Sequence, residues 1–529
     1  MSQTDSILPY ASSPAGASDP LPDRGPYPRG FRPRRGINWG YLGLLYTSFY
    51  LCRYNLSVAN KSIADQYHFS YTQMSEIIFA STFVYAFGQI FNGLITDRIG
   101  GKAAMLIGAA GTVTMNLLFG AASIWGILGL FIAIRAMDGY FQSFGAPGMT
   151  KIKTAWFVKT ERGGFAGIFG FMINLGRLGI FTFGPALLSG FLLFGMIRVD
   201  PLQWKWIFWG PSIVCALVAL AMHFGVKETP EECGFYPVEE YHPAAPALSQ
   251  IIRRIIVGLF IAAAFISIFW LYHLNKIGTM DMGVAVLAAI LLIFITLHIM
   301  ARAFKPDPEY IRTAAEHAVS TTRVDFRTAL KLIVANPAVW IVAGAYACTG
   351  AVRNPIDQWF PRYMQEAQHT DMKSTIFQVL AFLIPCTASA GSLLSGWISD
   401  KFFAGARAPV AAVLYIIETV IVIGAIFFAT TPWSAAIFFT ALSFTCNSTH
   451  SILGTAAAMD IGGRKMTGFA SGVIDSFQYF GATIGLWILG PLLDAFGWKS
   501  YFPYMVPFGL IGFFLMVFFR KTIAKNSHR

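Results

Sequence analysis

Long runs of apolar residues, separated by short polar segments, dominate the sequence from residue 37 onward. A helix needs about 20 consecutive apolar residues to cross the hydrocarbon core of a bilayer. No soluble domain has a core that could bury so many runs of this length, so the pattern predicts an all-α, multi-pass membrane protein. The fourteen predicted spans are 37–58, 74–96, 103–124, 126–149, 163–193, 206–226, 255–274, 282–303, 338–360, 374–398, 408–430, 433–457, 467–493 and 499–520.

The composition and the distribution of charge agree with a membrane protein. Hydrophobic residues make up 55% of the 529 residues and charged residues only 12%, whereas soluble domains carry about 25% charged residues. The net charge of +12 is concentrated in short loops and in the amino-terminal tail, as the positive-inside rule predicts for cytoplasmic segments. Nucleic-acid binding is therefore the weaker interpretation of the charge. Both termini are expected in the cytoplasm, because the number of spans is even.

Repeated segments indicate a duplicated six-helix unit. The sequence Gly-Leu-Ile-Thr-Asp-Arg at 93–98 corresponds to Gly-Trp-Ile-Ser-Asp-Lys at 396–401, and Gly-Phe-Ala-Gly at 164–167 corresponds to Gly-Phe-Ala-Ser at 468–471. Substrate sites of transporters built from such repeats lie near the midplane, where the repeats meet. The predicted domains are a disordered basic tail at 1–36, an amino-terminal half at 37–226, a linker at 227–336 with an inserted transmembrane hairpin at 255–303, a carboxy-terminal half at 337–520 and a tail at 521–529.

Two arginines lie inside apolar runs at matching places in the two halves, Arg53 in the span 37–58 and Arg353 in the span 338–360. An arginine at the centre of a membrane helix costs about 2.5–3.5 kcal/mol even on the insertion scale that gives the lowest values. Guanidinium groups are permanently charged and bind phosphate oxygens in a bidentate manner. The pair therefore predicts an anion-binding site between the halves. The alternative is that the arginines pair with buried carboxylates, for which Asp357 is available to Arg353.

Several short motifs resemble those of known transporters. The loop Gly-Leu-Ile-Thr-Asp-Arg-Ile-Gly-Gly-Lys at 93–102 resembles the G-x-x-x-D-R-x-G-x-K loop of the major facilitator superfamily, and a second copy ends at 400–401. The resemblance implies the 6+6 helix bundle of that superfamily. Within it, the chain resembles the organophosphate:phosphate antiporters, which include the bacterial glycerol-3-phosphate and hexose-phosphate transporters. The stretches that carry this second resemblance are 46–55, 141–164, 228–241 and 352–359.

The resemblance implies roles for the residues around the two arginines. Arg53 and Arg353 would clamp the phosphate group of the substrate. The tyrosines Tyr46, Tyr50 and Tyr85 match the pocket tyrosines of the family. Tyr50 and Arg53 lie three residues apart and therefore share one helix face. Ordinary aromatic packing is the alternative role for the three tyrosines.

The chain also departs from the pattern of the family. Gln89 stands where many members carry a lysine, and Ile173 stands where they carry a histidine before Asn174. The chain adds Arg177, three residues beyond Asn174. These changes predict the same class of anion with a different substrate body. Arg177 either binds the substrate or pairs with Asp475, and the spacing alone leaves both alternatives open.

Further polar residues are expected to act in conformational change or to line the pocket. Arg135 resembles the arginine of the fourth helix in the superfamily, and a self-satisfied pair with Asp138 is its alternative role. His450 is a candidate pocket donor, or else a core histidine whose hydrogen bonds are satisfied by neighbours. The loop residues expected to take part in the conformational change are Asp97, Arg98, Arg162, Asp400 and Lys401.

The predicted function is secondary active transport, in which a phosphorylated metabolite of the glycerol-3-phosphate, hexose phosphate or phosphoglycerate type is exchanged for inorganic phosphate by alternating access. One alternative is a transport-like membrane receptor for sugar phosphate that signals to a kinase. Another is a proton-coupled carrier of organic anions that uses Asp475, Glu418 or His450. No enzyme or metal motif is found, so neither catalysis nor a cofactor is expected. The expected partners are the substrate, phosphate and the lipid bilayer, with a monomer in a bacterial inner membrane.

Overall fold

The computed structural model describes residues 27–28, 30–238, 279–303, 335–403, 407–520 and 522. This part of the chain is almost entirely helical, and each predicted span other than 255–274 coincides with helical segments. The span 255–274 lies outside the described residues. The inserted hairpin and the count of fourteen spans therefore stay predictions.

The amino-terminal half begins with a helix that extends beyond its apolar run at both ends. The second helix starts at a capping box, in which the Ser70 side chain accepts the backbone N–H of Gln73 and the Gln73 side chain accepts that of Ser70. The fourth predicted span is split into two helices at Ser143 and Phe144. The elements are α1 (Phe31–Tyr67), α2 (Tyr71–Ile99), α3 (Gly101–Ala121), α4 (Leu128–Gln142), α5 (Gly145–Trp156), α6 (Lys159–Ser189), the antiparallel strands β1 (Phe191–Leu193) and β2 (Ile197–Val199), and α7 (Trp206–Gly225).

The carboxy-terminal half follows a single described helix of the linker. Its first helix starts at Asn336, whose side chain accepts the backbone N–H of Ala338, with Pro337 at the first helical position. The elements are α8 (Thr279–Ala303) in the linker, then α9 (Pro337–Glu366), α10 (Thr375–Phe402), α11 (Arg407–Phe428), α12 (Pro432–Ser451), a π-helical segment (Ile452–Ala457), α13 (Ala458–Phe496) and α14 (Val506–Phe518).

Within the described residues, seven helices are long and apolar enough to cross a membrane by length and composition, and α1 and α9 are not among them. These two helices are long, but polar side chains interrupt their apolar runs. Most of those side chains are buried, including Arg53 and Asn55 on α1 and Arg353 and Asp357 on α9. Buried polar side chains at membrane depth face the interior of a bundle. We therefore expect a binding site in the interior between α1 and α9.

The two halves meet along three pairs of helices, α2 with α13, α6 with α10, and α1 with α9. Inside the carboxy-terminal half, glycines let α9 and α13 approach closely. An added Cβ at Gly350 would collide with the backbone carbonyl of Gln478, and one at Gly481 would collide with that of Ala347. Small residues at such crossings are typical of helix packing in membranes. This crossing brings α13 side chains next to the polar face of α9.

The bundle has a near end, where α1 begins at Phe31, and a far end, where α1 finishes at Tyr67. At the far end, Asp494 of α13 accepts hydrogen bonds from the backbone N–H groups of Tyr71 and Thr72 at 2.9 Å each. These contacts cap α2 of one half with a side chain of the other. In the described residues, the hydrogen bonds between the halves lie at mid-bundle or toward the far end, so the far end is closed.

The linker helix α8 lies on the outside of the amino-terminal half. The Tyr41 ring of α1 packs against Phe294 at a centroid distance of 4.5 Å. Near the far end, the Asp281 carboxylate accepts the backbone N–H of Phe194 in the β-hairpin at 2.6 Å. The remaining face of α8 is apolar and exposed, with Leu287 and Leu291 among the exposed side chains. The expectation that this part of the linker faces lipid agrees with that exposure.

Candidate anion site

Arg53 lies in the middle of α1 and is only 8% exposed. Its Nε donates to Gln142 Oε1 and its Nη1 donates to the Tyr479 hydroxyl, each at 2.9 Å. Its guanidinium also lies over the rings of Tyr50 and Tyr85, at 4.8 and 4.4 Å from their centroids. Nη2 is buried without a hydrogen-bond partner. In the described residues Arg53 has no carboxylate partner, so the charge is held by neutral acceptors and aromatic faces.

Arg353 occupies the matching position on α9 and is 5% exposed. Its Nε donates to Asn447 Oδ1 of α12 at 3.0 Å. Asp357, one turn further along α9, is the carboxylate that the sequence made an alternative partner for Arg353. In the structure that carboxylate forms an ion pair with Arg177 of α6 instead. Within the described part of the chain, Arg353 is therefore also without an acidic partner.

Arg177 is fully buried and belongs to a contact between the halves. Its Nη1 donates to Asn174 Oδ1 at 3.0 Å, and its Nη2 pairs with the Asp357 carboxylate. The hydroxyl of Tyr54 on α1 donates to the same carboxylate at 3.4 Å. The alternative in which Arg177 pairs with Asp475 is therefore wrong in this structure. Arg177 is neutralised by Asp357, and Asn174 orients it.

Tyrosine rings form much of the surface around the two free arginines. Tyr46 and Tyr50 lie side by side on α1 at a ring distance of 5.6 Å, and Tyr85 of α2 packs against Tyr479 of α13 at 4.3 Å. The structure therefore brings Tyr50 and Tyr85 next to Arg53, and it places Tyr46 one turn earlier on α1, against Tyr50. Sequence reasoning missed Tyr479, although it lies four residues after Asp475 and shares its helix face.

Asp475 of α13 lies across the interface from Gln89 of α2. The Gln89 side-chain amide donates to Asp475 Oδ2 at 2.6 Å, and the Tyr346 hydroxyl lies 3.4 Å from Oδ1. The same Tyr346 hydroxyl is 2.5 Å from Nδ1 of His450, so His450 is a histidine with a satisfied hydrogen bond. Asp475 also lies one helical turn before Tyr479, whose hydroxyl accepts a hydrogen bond from Arg53. Among the described residues, its hydrogen-bond partners are thus neutral side chains next to the predicted clamp.

A small cavity of about 20 Å³ adjoins Arg53 on the interface between the halves. This is room for about one water molecule. Asn354 Oδ1 and Gln358 Oε1 belong to its lining residues and are buried without hydrogen-bond partners. Unpaired polar atoms of this kind are costly unless water or a ligand satisfies them. Its remaining lining residues are Ile78, Ser81, Thr82, Tyr85, Arg135, Gly139, Gln142 and Tyr479.

The sequence profile of the Major Facilitator Superfamily matches this chain over residues 42–297 and 282–486. The chain belongs to the Major Facilitator Superfamily. This confirms the resemblance inferred from the loops at 93–102 and 400–401. It is accordingly a multi-pass integral membrane protein, in agreement with the seven apolar helices within its described residues.

Superfamily members with organophosphate transport in their names are similar to this chain along most of its length. The probable hexose phosphate transport protein of Chlamydia pneumoniae is 23% identical over 91% of this chain and 90% of its own. The glycerol-3-phosphate transporter of Bacillus subtilis is 23% identical over 93% of both chains. The membrane sensor protein UhpC of Escherichia coli is 23% identical over 91% of both. The predicted resemblance to the organophosphate:phosphate antiporters is confirmed.

A solved structure shows the same superfamily fold. It is a bacterial homologue of the human lysosomal transporter Spinster in an inward-facing, unoccupied conformation, with a TM-score of 0.63 and 14% identity. The match covers 94% of this chain and 98% of the other. At this identity the likeness concerns the fold alone.

The superfamily arginine on α4 is held in place by its own helix. Arg135 pairs with Asp138 at 2.7 Å, and both side chains are buried, so the predicted pair is present. Arg135 also donates through Nη2 to the backbone carbonyl of Arg53 at 2.6 Å and through Nη1 to that of Cys52 at 3.2 Å. The predicted conformational residue thus supports the stretch of α1 that presents the clamp.

The superfamily loop at 93–102 is anchored within the amino-terminal half. Lys151 donates to the backbone carbonyl of Asp97 at 2.8 Å and lies 3.9 Å from its carboxylate. The start of α3 is capped by Glu228, which accepts the backbone N–H groups of Gly101 and Lys102 at 2.5 and 3.2 Å. Sequence reasoning missed this cap. Arg98 is exposed, Lys401 lies beside the Phe402 ring, and the side chains of Arg162 and Asp400 lie outside the described residues.

Proposed function

We propose that this protein exchanges a phosphorylated metabolite for inorganic phosphate by alternating access. The observation that carries the proposal is the pair Arg53 and Arg353. They are buried on equivalent helices of the two halves and have no carboxylate partner among the described residues. Bidentate guanidinium groups match phosphate better than any other side chain does. The substrate is of the glycerol-3-phosphate or hexose phosphate type, the two classes that appear in the names of the relatives.

The charge of the two arginines gives a reason for exchange rather than net uptake. Closing the halves around Arg53 and Arg353 removes water from two like charges, which is unfavourable without a counter-ion. A bound phosphate supplies the opposite charge and allows the halves to rock past the closed state. The empty carrier then reorients slowly. Release of one anion is therefore followed by binding of another before the carrier returns.

The state of the bundle fits a carrier whose near end opens. The far end is closed by Asp494 on α2 and by the hydrogen bond at 2.9 Å between Arg362 and Asn60. We place the near end in the cytoplasm of a bacterial cell, following the basic cluster at residues 29–35 where α1 begins. We place the protein in the inner membrane as a monomer. In this orientation the far end, which is closed in this structure, lies on the side of the membrane opposite the cytoplasm.

Reconstituted vesicles test the proposal directly. Vesicles loaded with phosphate should take up labelled phosphate and labelled organophosphates much faster than empty vesicles. Equal uptake into empty vesicles would rule out obligatory exchange. A screen should include glycerol-3-phosphate, glucose 6-phosphate and 3-phosphoglycerate. Uptake that follows a pH gradient without internal phosphate would instead favour the proton-coupled alternative.

Arginine-to-lysine variants test the clamp. Arg53→Lys and Arg353→Lys should each lower exchange at least about tenfold, because lysine keeps the charge but loses the planar fork. Arg198→Lys, at an exposed position of β2, is the matched control and should exchange like the wild type. Full activity of both clamp variants would contradict the assignment.

A receptor is the second candidate, because one of the similar proteins is named a membrane sensor. A receptor should bind phosphorylated ligands with the same arginines but move them slowly or not at all. Ligand-dependent thermal stabilisation without any exchange in vesicles would therefore favour this candidate over transport.

A further inference from the structure

The charged side chains at the interface between the halves do not balance one another. Arg177 is neutralised by Asp357, as described above. This leaves Arg53 and Arg353 without acids and Asp475 without a cation at ion-pair distance, among the described residues. Two fixed positive charges and one fixed negative charge therefore surround the space that the substrate would enter.

The surroundings of Asp475 are suited to a positively charged ligand group. Its carboxylate is held by two neutral donors, the Gln89 amide at 2.6 Å and the Tyr346 hydroxyl at 3.4 Å. Unlike Gln89, which is buried, Asp475 keeps part of its surface accessible inside the bundle. Among the described residues, both of these partners are uncharged, so the negative charge of Asp475 is not neutralised. A carboxylate of this kind forms charge-assisted hydrogen bonds with ammonium groups.

We propose that the organophosphate carried by this protein bears an ammonium group, which binds to Asp475 while the phosphate group binds to Arg53 and Arg353. This inference rests on the proposed phosphate clamp and adds the chemistry of the other end of the substrate. The same carboxylate repels a second carboxylate, so acids of the phosphoglycerate type are poor substrates. Hydroxyl groups can donate to Asp475 as well, but a charged donor forms the stronger hydrogen bond.

Matched pairs of ligands isolate the ammonium group. The ligands are 2-aminoethyl phosphate against 2-hydroxyethyl phosphate, and glucosamine 6-phosphate against glucose 6-phosphate. Each competes with labelled phosphate for exchange in phosphate-loaded vesicles. In at least one pair the amino compound should inhibit at a concentration about tenfold lower than its hydroxyl counterpart. Equal inhibition within both pairs would overturn the inference. Absence of phosphate exchange altogether would instead refute the proposed function.

Variants assign the preference to Asp475. Asp475→Asn should reduce the ratio between the inhibitory concentrations of the hydroxyl compound and its amino counterpart to about twofold or less. Because both concentrations are measured in the same variant, a lower overall exchange rate does not affect their ratio. Gln89→Lys should abolish the preference by placing a cation on Asp475, whereas Gln89→Met should keep it. Glu418→Gln removes a carboxyl group on α11, away from the interface, and should also keep it.

Measurements of ligand binding extend the test to variants that do not transport. The rise in unfolding temperature caused by each ligand is then compared within the pair at equal ligand concentration, because the ligand that binds the folded state more tightly stabilises it more. An amine preference that survives in Asp475→Asn and in Gln89→Lys would place the ammonium group elsewhere and overturn the assignment.

Discussion

The ion pair between Arg177 of α6 and Asp357 of α9 joins the two halves deep in the bundle. Arg177 has no exposed surface, and Asp357 is almost as deeply buried. The substitution Asp357→Asn keeps the shape of the side chain and one acceptor oxygen but removes the negative charge. Arg177 then stays buried with only Asn174 and the new amide as partners. We expect a large loss of stability from this single change.

The magnitude follows from the burial of both groups. Removing one partner of a buried ion pair costs about 3–5 kcal/mol, because the other charge is left uncompensated. The amide oxygen of asparagine retains a hydrogen bond to the guanidinium, which returns about 1–2 kcal/mol. The expected decrease in the free energy of unfolding for Asp357→Asn is therefore about 1–4 kcal/mol. Asp65→Asn, in the more exposed pair Lys61–Asp65, should cost less than about 1 kcal/mol.

A double-mutant cycle measured by denaturant unfolding in mixed micelles tests this reasoning. The cycle uses Asp357→Asn, Arg177→Gln and the double variant. Because the double variant contains no unpaired charge, it should be less destabilised than the sum of the single variants, with a coupling of at least about 1.5 kcal/mol. Additivity within about 0.5 kcal/mol would show that the two side chains do not interact in the folded protein and would refute the pairing.

Three further changes test other contacts. Asp494→Asn should weaken the cap on α2 by about 1 kcal/mol. Cysteines introduced at the far end should then be labelled faster by thiol reagents, and unchanged labelling would mean that this cap does not hold the far end closed. Asp138→Asn leaves the charge of Arg135 buried without a carboxylate partner. The yield of folded protein in detergent, measured by size-exclusion chromatography, should therefore fall severalfold. A normal yield would contradict a stabilising role for the pair Arg135–Asp138. Burial raises the pKa of the Cys233 thiol although the Arg34 guanidinium opposes the shift, so the thiolate is scarce near pH 7. Maleimide should therefore label Cys233 several times more slowly than a free thiol, and the labelling should become faster as the pH rises toward that pKa. Labelling at a rate independent of pH would contradict the raised pKa.

The burial of Arg53 and Arg353 inside the bundle could be predicted because its signal is local. An arginine inside a long apolar run is unusual in one helix, and the matching positions of Arg53 and Arg353 follow from the duplication. The pair between Arg135 and Asp138 was equally accessible, since residues three apart on a helix face each other. The apolar runs located the helices but not all of their ends, since α1 begins six residues before its predicted span and finishes nine residues after it.

The partners across the interface could not be predicted in the same way. Asp357 and Asp475 were both available to Arg177, and the choice depends on the rotation and crossing of helices from different halves. Spacing along the chain contains no information about either quantity. For the same reason Tyr479 was missed as a partner of Arg53, and Glu228 as the cap of α3. The hairpin at 255–303 stays a prediction, because only its second helix is described.

The attachment of α8 has a mechanical consequence for the transport cycle. Its contacts are with α1, α6 and β1, which all belong to the amino-terminal half. In the proposed cycle α8 therefore moves as part of the amino-terminal half and adds to its lipid-facing surface. Movement of the carboxy-terminal half is then movement relative to α8 as well.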